Sequence, residues 1–285
     1  MKRIIKSAFS CLITVILLIS GTVSVSAQYY MNVVQKDGEK VQYLVSNIDS
    51  VYFSGQESPA ANYEYVDLGL SVKWATFNVG ATKPEEYGDY YAWGEIEPYY
   101  DAGYAQEYPQ VHWKEGKSAG YDWSSYKWCA GSSRTLTKYC NKSDYGNEGF
   151  TDTLTVLAPE DDVAHVKWGG SWRMPTQKEQ EELLNNCTWT GTTLNGVDGY
   201  RVTGKKEGYT DRSIFLPAAN SRNGTNYAGV GGGGEYWSSS LFIDFPYRAR
   251  FLHFNYIYYG SVRNDYLGVG IHSRDAGRSV RPVCP

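Results

Sequence analysis

Short apolar segments of strand length recur along the chain, separated by long stretches rich in Gly, Asn, Ser and Tyr. Alternation of apolar and polar residues between turn residues is typical of β-strands. The pattern predicts three short strands in residues 31–53, the first two joined by a hairpin turn at Asp37-Gly38. Beyond them it predicts strands at Tyr65–Leu68, Val72–Val79, Tyr200–Thr203, Ser213–Leu216, Glu235–Ser239, Ala249–Phe254 and Ser279–Val283.

One of these strands, Ala249–Phe254, carries apolar residues at four of its six positions, on both faces. Successive side chains of a strand point to opposite faces of the sheet. We therefore expect only one alternating pair to face the core. We predict that Leu252 and Phe254 point inward, and that Phe251 and His253 point away from the core.

Two segments have the end signals of short helices. Thr176 and Glu179 form a capping box at the start of a helix over Thr176–Asn186. A second helix is predicted over Pro159–Val166, because Pro suits the first turn and three acidic residues follow it. Two short helices among many strands indicate an α+β fold with an antiparallel sheet.

The N-terminus has the three parts of a secretory leader: a basic start, an apolar core of eight residues and the small-residue site Val25-Ser26-Ala27. We expect the exported chain to begin near Gln28. The predicted organisation is a leader over 1–27, a small β module over 28–53, a linker over 54–62 and one larger domain over 63–285.

Charge and hydropathy narrow the choice of partner. The whole chain has a net charge of −4, and removal of the leader with its three basic residues makes the mature chain more acidic, at −7. A net negative charge argues against nucleic acid as the main partner. No long apolar run follows the leader, so the mature chain is not expected to span a membrane.

Six motifs occur in an order that resembles the Fibrobacter succinogenes major paralogous domain family of exported bacterial proteins. They are YVDLGLSVKWATFNVG at 65–80, GDYYAWGE at 88–95, WGGSWRMPT at 168–176, IFLPAA at 214–219, YWSSS at 236–240 and SVRPV at 279–283. The resemblance covers residues 63–285 and extends to sulfatase-modifying-type domains. It implies a C-type-lectin-like fold, with a twisted antiparallel sheet, two short helices and long loops that present ligands.

Four cysteines remain after the leader, an even number that suggests disulfides in an exported chain. Cys129 and Cys140 flank a turn-like segment, which favours a local bridge between them. Cys187 and Cys284 are then left to pair, although four reduced thiols remain the alternative.

The sequence has no motif that predicts a cofactor, a metal site or a catalytic nucleophile. The calcium-binding motifs of sugar-binding C-type lectins are also missing. The chain has Glu97-Pro98-Tyr99 where those lectins have Glu-Pro-Asn or Gln-Pro-Asp, and it has no Trp-Asn-Asp motif. An enzyme remains the alternative, since residues 84–113 are rich in acids and Glu95 and Glu97 resemble the carboxylate pair of a polysaccharide-active enzyme. A structural envelope protein is a further alternative.

The C-terminal region is dense in Tyr, Asn and Arg, as the binding loops of antibodies are. We therefore expect a non-enzymatic binding or display protein whose ligand is an extracellular protein or glycan. The other reading is that the family builds half-exposed strands from tyrosine. The candidate ligand-binding residues are Tyr227, Tyr247, His253, Asn255, Tyr256, Tyr258, Tyr259, Asn264, Tyr266, His272 and Arg274.

Overall fold

The computed structural model describes residues 30–34, 40–44, 63–98, 120–224, 226–228, 232–259 and 262–285. The chain divides into two compact units, Met1–Gln56 and Glu57–Pro285. The predicted leader, the predicted third strand of the small module and the predicted linker lie outside the described residues.

The first unit contains the predicted β-hairpin. Strands β1 (Tyr30–Val34) and β2 (Lys40–Leu44) pair antiparallel, with Val34 opposite Lys40. The antiparallel pairing of the two strands matches the predicted hairpin, and the predicted turn residues Asp37-Gly38 lie outside the described residues.

The second unit is rich in antiparallel sheet and has few helices, which confirms the α+β class. Its helices are α1 (Val163–Trp168) and α2 (Gln177–Asn186). Its strands are β3 (Tyr65–Val66), β4 (Lys73–Ala75), β5 (Cys187–Leu194), β6 (Val197–Gly204), β7 (Ser213–Pro217), β8 (Ser221–Asn223), β9 (Asn226–Ala228), β10 (Gly233–Leu241), β11 (Arg248–Tyr259), β12 (Val262–Ser273), β13 (Gly277–Arg278) and β14 (Val283–Cys284).

These strands form four three-stranded sheets, with the orders β10-β11-β12, β13-β8-β9, β14-β4-β3 and β5-β6-β7. Strand β14 pairs with β4, so the last strand of the chain lies beside the beginning of the unit. The sheet β10-β11-β12 has the longest strands.

The two helices differ in how well the sequence predicts them. α2 begins after Thr176, whose hydroxyl accepts the Glu179 N–H while the Glu179 carboxylate accepts the Thr176 N–H, as a capping box requires. The predicted helix over Pro159–Val166 is instead a 3₁₀ turn followed by α1. Asp162 lies between them with an extended backbone and caps α1 by accepting the N–H of Ala164. The 3₁₀ turn and α1 are therefore separate elements. Neither helix in the described part of the chain is long and apolar enough to cross a membrane.

The core packs against both faces of the sheet β10-β11-β12. Leu252 and Phe254 are buried on one face, together with Leu183 of α2, as predicted. Phe251 is buried as well, in a second cluster with Trp237 on the other face. The expectation that Phe251 points away from the core is therefore wrong, because this sheet is covered on both sides along part of its length.

Candidate functional site

The residues of the sequence motifs hold the scaffold together. Trp237 of YWSSS donates its indole N–H to the Tyr91 carbonyl at 2.8 Å, and Trp93 of GDYYAWGE donates to the Ser238 carbonyl at 2.8 Å. The two motifs are therefore joined by reciprocal hydrogen bonds in the core. Arg173 of WGGSWRMPT pairs with Glu179, the residue that also completes the cap of α2.

Arg281 of SVRPV is a fully engaged buried cation. Its guanidinium donates to the side-chain oxygen of Asn78 at 2.8 Å and to the carbonyls of Ala75, Thr76 and Phe215 at 3.1, 3.2 and 3.0 Å. Burial lowers the pKa of Arg281 to about 10. These bonds tie the last segment of the chain to β4, β7 and the loop after β4, which is a structural role.

A different arrangement occupies the face of the sheet β10-β11-β12 that carries the histidines. In the strand register, Glu235 lies opposite His253, and Asn255 lies opposite Tyr266. Tyr266 is 58% exposed, whereas Glu235, His253, Asn255 and His272 are half-buried. We call this surface the histidine face; it comprises Glu235, Phe251, His253, Asn255, Tyr266 and His272.

The rings of the histidine face form a row. The ring centroids of His253 and Tyr266 lie 5.1 Å apart, those of Phe251 and His253 lie 5.3 Å apart, and those of Phe251 and His272 lie 6.2 Å apart. The row runs from exposed Tyr266 through half-buried His253 and buried Phe251 to half-buried His272, so its outer end is the part open to solvent.

Two glycines of β12 make room for that row. A Cβ atom on Gly270 would lie 2.8 Å from the Phe251 ring, and one on Gly268 would lie 3.3 Å from the imidazole of His253. Because neither glycine has a side chain, the rings of β11 can lean over β12. The sequence shows both glycines, but only the strand register shows what they accommodate.

Arg278 lies beneath the histidine face and is completely buried. Its guanidinium stands 4.3 Å from the ring centroids of both Trp237 and Phe251, and its Nη2 atom lies 2.7 Å from a carboxylate oxygen of Glu235. Its Nε and Nη1 atoms have no hydrogen-bond partner among the described residues. Buried donors without a partner are costly, and the described residues include others besides those of Arg278, among them a donor of Arg274.

The electrostatics of this face favour neutral histidines. Burial, together with a smaller effect of the positive charge of Arg278, lowers the pKa of His272 to about 4. Burial also lowers the pKa of His253; Glu235 opposes that shift and Arg278 adds to it. At neutral pH each imidazole thus offers one donor and one acceptor, and the charges of Glu235 and Arg278 balance.

The structure places four predicted ligand-binding residues together: His253, Asn255, Tyr266 and His272 all belong to the histidine face. Tyr247 lies elsewhere, in a second aromatic group with Tyr145 and Phe245, at centroid distances of 5.4 and 6.0 Å. The side chains of five other candidates lie outside the described residues; these are Tyr227, Tyr256, Tyr258, Tyr259 and Asn264.

Arg274 does not match its predicted role in ligand contact. Its side chain is completely buried between the rings of Trp93 and Tyr126, each 5.3 Å away. It donates hydrogen bonds to the carbonyls of Tyr139 and Lys138 at 2.9 and 3.2 Å. Arg274 therefore holds the segment around Tyr139 against the core, as Arg281 holds β4.

The two carboxylates of the enzyme hypothesis occupy different surroundings. Glu95 is buried and accepts the backbone N–H of Lys127 at 2.6 Å. Glu97 is exposed and lies 3.6 Å from the ammonium group of Lys167. Glu95 thus serves a loop contact inside the fold, whereas Glu97 forms a surface ion pair.

Cys129, Cys140, Cys187 and Cys284 are free in the structure, and neither predicted disulfide is formed. The thiol of Cys129 contacts the Trp123 carbonyl at 3.1 Å, whereas that of Cys140 contacts the Lys142 carbonyl at 3.2 Å. Cys187 and Cys284 lie in two different core clusters. The predicted pairings therefore stay predictions for the oxidised, exported protein.

Glu235, Phe251 and Arg278 were not predicted as members of the site. Glu235 follows a glycine run that resembles a loop, and Arg278 stands in a segment without a distinctive pattern. The one signal in the sequence for a buried ion pair is that the region from Arg212 to the end contains Arg but no Lys. Arg rather than Lys suits fixed, bidentate pairing with a carboxylate. Comparison of the chain with family models, curated proteins and solved structures finds no match.

Proposed function

We propose that the protein is an exported, non-enzymatic binding protein that presents the histidine face to an extracellular protein or glycan. The observation that carries this proposal is the row of rings ending at exposed Tyr266, on a sheet face whose polar side chains Glu235, His253, Asn255 and His272 are half-buried. Rigid aromatic anchors with mixed donors and acceptors are the means by which many binding surfaces recognise a ligand.

A C-type-lectin-like fold and membership of the Fibrobacter succinogenes major paralogous domain family are part of the same proposal. The hydrogen bonds between GDYYAWGE and YWSSS, and those of Arg281 in SVRPV, support it. Hydrogen bonds of this kind would account for the recurrence of these residue types in a shared scaffold. N-terminal sequencing of exported material tests the export; we expect a start near Gln28, and material that retains Met1 would contradict it.

A binding array of extracellular proteins and glycans, probed with the purified protein, tests the function. For any ligand found, Tyr266→Ala should weaken binding by roughly tenfold or more, because it removes the exposed anchor of the row. Tyr65→Ala is the matched control, since Tyr65 is similarly exposed, at 52%, on β3 in another sheet. Equal loss of affinity in both variants would contradict the proposed site.

A further inference from the structure

Strand β12 forms one edge of the sheet β10-β11-β12. It is 12 residues long, with the sequence VRNDYLGVGIHS, and contains neither Lys nor Pro. Natural proteins usually protect such edges with lysines, prolines, bulges or very short strands, because an open edge is a template for another strand. The length and composition of β12 therefore draw attention to what pairs with it.

A backbone hydrogen bond just beyond the end of β12 determines which residues of β12 direct their N–H and C=O groups toward β11. The Arg274 N–H donates to the Tyr247 carbonyl at 3.1 Å, so these two residues form a hydrogen-bonded pair. Such pairs alternate along an antiparallel ladder. Tyr266, Gly268, Gly270 and His272 consequently direct their backbone groups to β11.

The residues between them direct their backbone N–H and C=O groups away from β11. These are Leu267, Val269 and Ile271, and no backbone hydrogen bond reaches them from the described part of the chain. Six strong hydrogen-bonding groups thus lie in line along the edge. A strand added there would satisfy all of them with main-chain bonds, which is the physical basis of β-augmentation.

We propose that β12 pairs antiparallel with β12 of a second copy of this chain, so that the two sheets join into one sheet of six strands. A two-fold axis perpendicular to the sheet then passes beside Val269, which lies opposite Val269 of the second copy. In this register Leu267 lies opposite Ile271 of the second copy, and Gly268 lies opposite Gly270. The outward-facing residues of both strands meet in hydrogen-bonded pairs.

The chemistry of the edge favours a second copy over a charged partner. Residues 266–273 contain no Asp, Glu, Lys or Arg. His272 is neutral at pH 7 because burial keeps its pKa at about 4. Two identical edges can therefore approach each other without repulsion, although the chain as a whole is acidic. Self-complementary pairing about a two-fold axis is also the commonest arrangement among soluble homo-oligomers.

Side chains on the histidine face suit the same register. Tyr266 would lie opposite His272 of the second copy, which is an aromatic cross-strand pair of the kind that stabilises sheets. The glycines would face each other and leave the space above them open. Both histidine faces would lie on the same side of the joined sheet, so the dimer would present two binding surfaces in parallel and gain avidity for repeated ligands. The dimer itself does not depend on the proposed ligand.

Sedimentation equilibrium of the purified protein tests the dimer. We expect a reversible monomer–dimer equilibrium. Val269→Pro removes one outward N–H from each copy but no hydrogen bond to β11, as Pro can at an edge position. It should weaken self-association by roughly thirtyfold, the equivalent of two lost hydrogen bonds. Val269→Lys should also weaken it, because two lysines would meet at the axis.

Val166→Lys is the matched control for the lysine variant, since Val166 is an exposed valine on α1 and 44% of it is accessible. It should leave the equilibrium unchanged. Hydrogen exchange of the unaltered protein gives a second measurement that needs no variant. The amides of Leu267, Val269 and Ile271 should become protected as protein concentration rises.

A protein that stays monomeric at high concentration would overturn the proposal. So would a dimer that persists unchanged in both Val269 variants, or outward amides whose exchange does not depend on concentration. Protection of these amides by an added extracellular protein at monomeric concentration would assign the edge to another partner. Loss of the dimer with retained array binding would leave the proposed binding function standing.

Discussion

Arg278 and Arg281 lie three residues apart in the sequence, and both are completely buried. Their guanidinium groups nevertheless have very different hydrogen-bond partners. Arg281 makes four hydrogen bonds to neutral oxygens of the core. Arg278 makes one ion pair, with Glu235, and keeps two nitrogen atoms without a partner among the described residues. Arg281 thus uses its hydrogen-bonding capacity within the scaffold, whereas Arg278 lies beneath the histidine face with part of its capacity unused among the described residues.

The difference extends to the surroundings of each arginine. The motif residues around Arg281 bind backbone carbonyls, which fixes loops that lack regular structure. The residues around Arg278 carry rings and titratable groups on a sheet face that is partly open to solvent. We infer that selection for folding explains the first region, and that the second region is explained by binding.

The largest effect expected from this comparison is on stability. Arg281→Met should lower the free energy of unfolding by roughly 3 kcal/mol or more, because it leaves several buried oxygens without donors. The double variant Arg278→Met with Glu235→Gln removes the other pair without leaving a lone charge, and should cost clearly less. Chemical denaturation of the two proteins measures both values. Equal losses would remove the distinction between the two regions.

Disulfide formation should act on the scaffold alone. If the exported protein forms Cys129–Cys140 and Cys187–Cys284, reduction should lower the free energy of unfolding by roughly 3 kcal/mol for the local loop. Binding at the histidine face should change little, since none of the four cysteines belongs to it. Peptide mapping of exported, unreduced protein identifies the pairs. Four alkylatable thiols, or a Cys129–Cys284 bridge, would refute the pairing.

Glycine replacement tests whether the ring row needs the space above β12. Gly270→Ala should lower the free energy of unfolding by roughly 1–3 kcal/mol, because its Cβ would press on the Phe251 ring at 2.8 Å. Gly268→Ala is the control in the same strand, where the contact with His253 would be looser, at 3.3 Å. A smaller loss for Gly270→Ala than for Gly268→Ala would contradict the packing described for the row.

The smallest expected effect is a pH dependence from His272. Its pKa is about 4 in the folded protein, below roughly 6.5 for an unperturbed histidine. The unfolded chain therefore binds more protons between these values, and the free energy of unfolding falls as pH drops through that window. Burial raises the pKa of Asp275, which acts in the opposite direction.

Comparison with His272→Gln isolates the histidine, because the variant keeps Asp275. We expect the unaltered protein to lose more stability than the variant between about pH 6.5 and pH 4. The difference should be modest, since the imidazole is only partly buried and solvent screens its charge. A variant that loses as much stability as the unaltered protein would show that His272 does not carry this dependence.

The scaffold was predictable from the sequence where local signals act over a few residues. The capping box of Thr176 and Glu179 gave the start of α2, and the alternation around Leu252 gave the buried face of β11. Strand β12 was not predicted, because Gly268 and Gly270 read as loop residues. Their role depends on the rings of a neighbouring strand, which no local pattern can show.

The site was predictable only in part for the same reason. Composition named Tyr266, His253 and His272 as candidates, and the structure brings these three residues to one sheet face. The contact between Glu235 and Arg278 depends on how β10 packs against β13. No spacing of residues in the sequence predicts that packing. Arg274 shows the opposite error, because the sequence suggested that it contacts a ligand. In the fold its buried guanidinium donates hydrogen bonds to backbone carbonyls instead.

Hydrogen exchange of the protein with and without its ligand tests the central claim most directly. Once the array supplies a ligand, the amides of residues 251–255 and 266–272 should gain protection, because these strand segments carry the histidine face. The loop that holds Glu95 and Glu97 should be unaffected. Protection confined to that acidic segment, with none on β11 or β12, would contradict the account and would shift the binding site to the carboxylates.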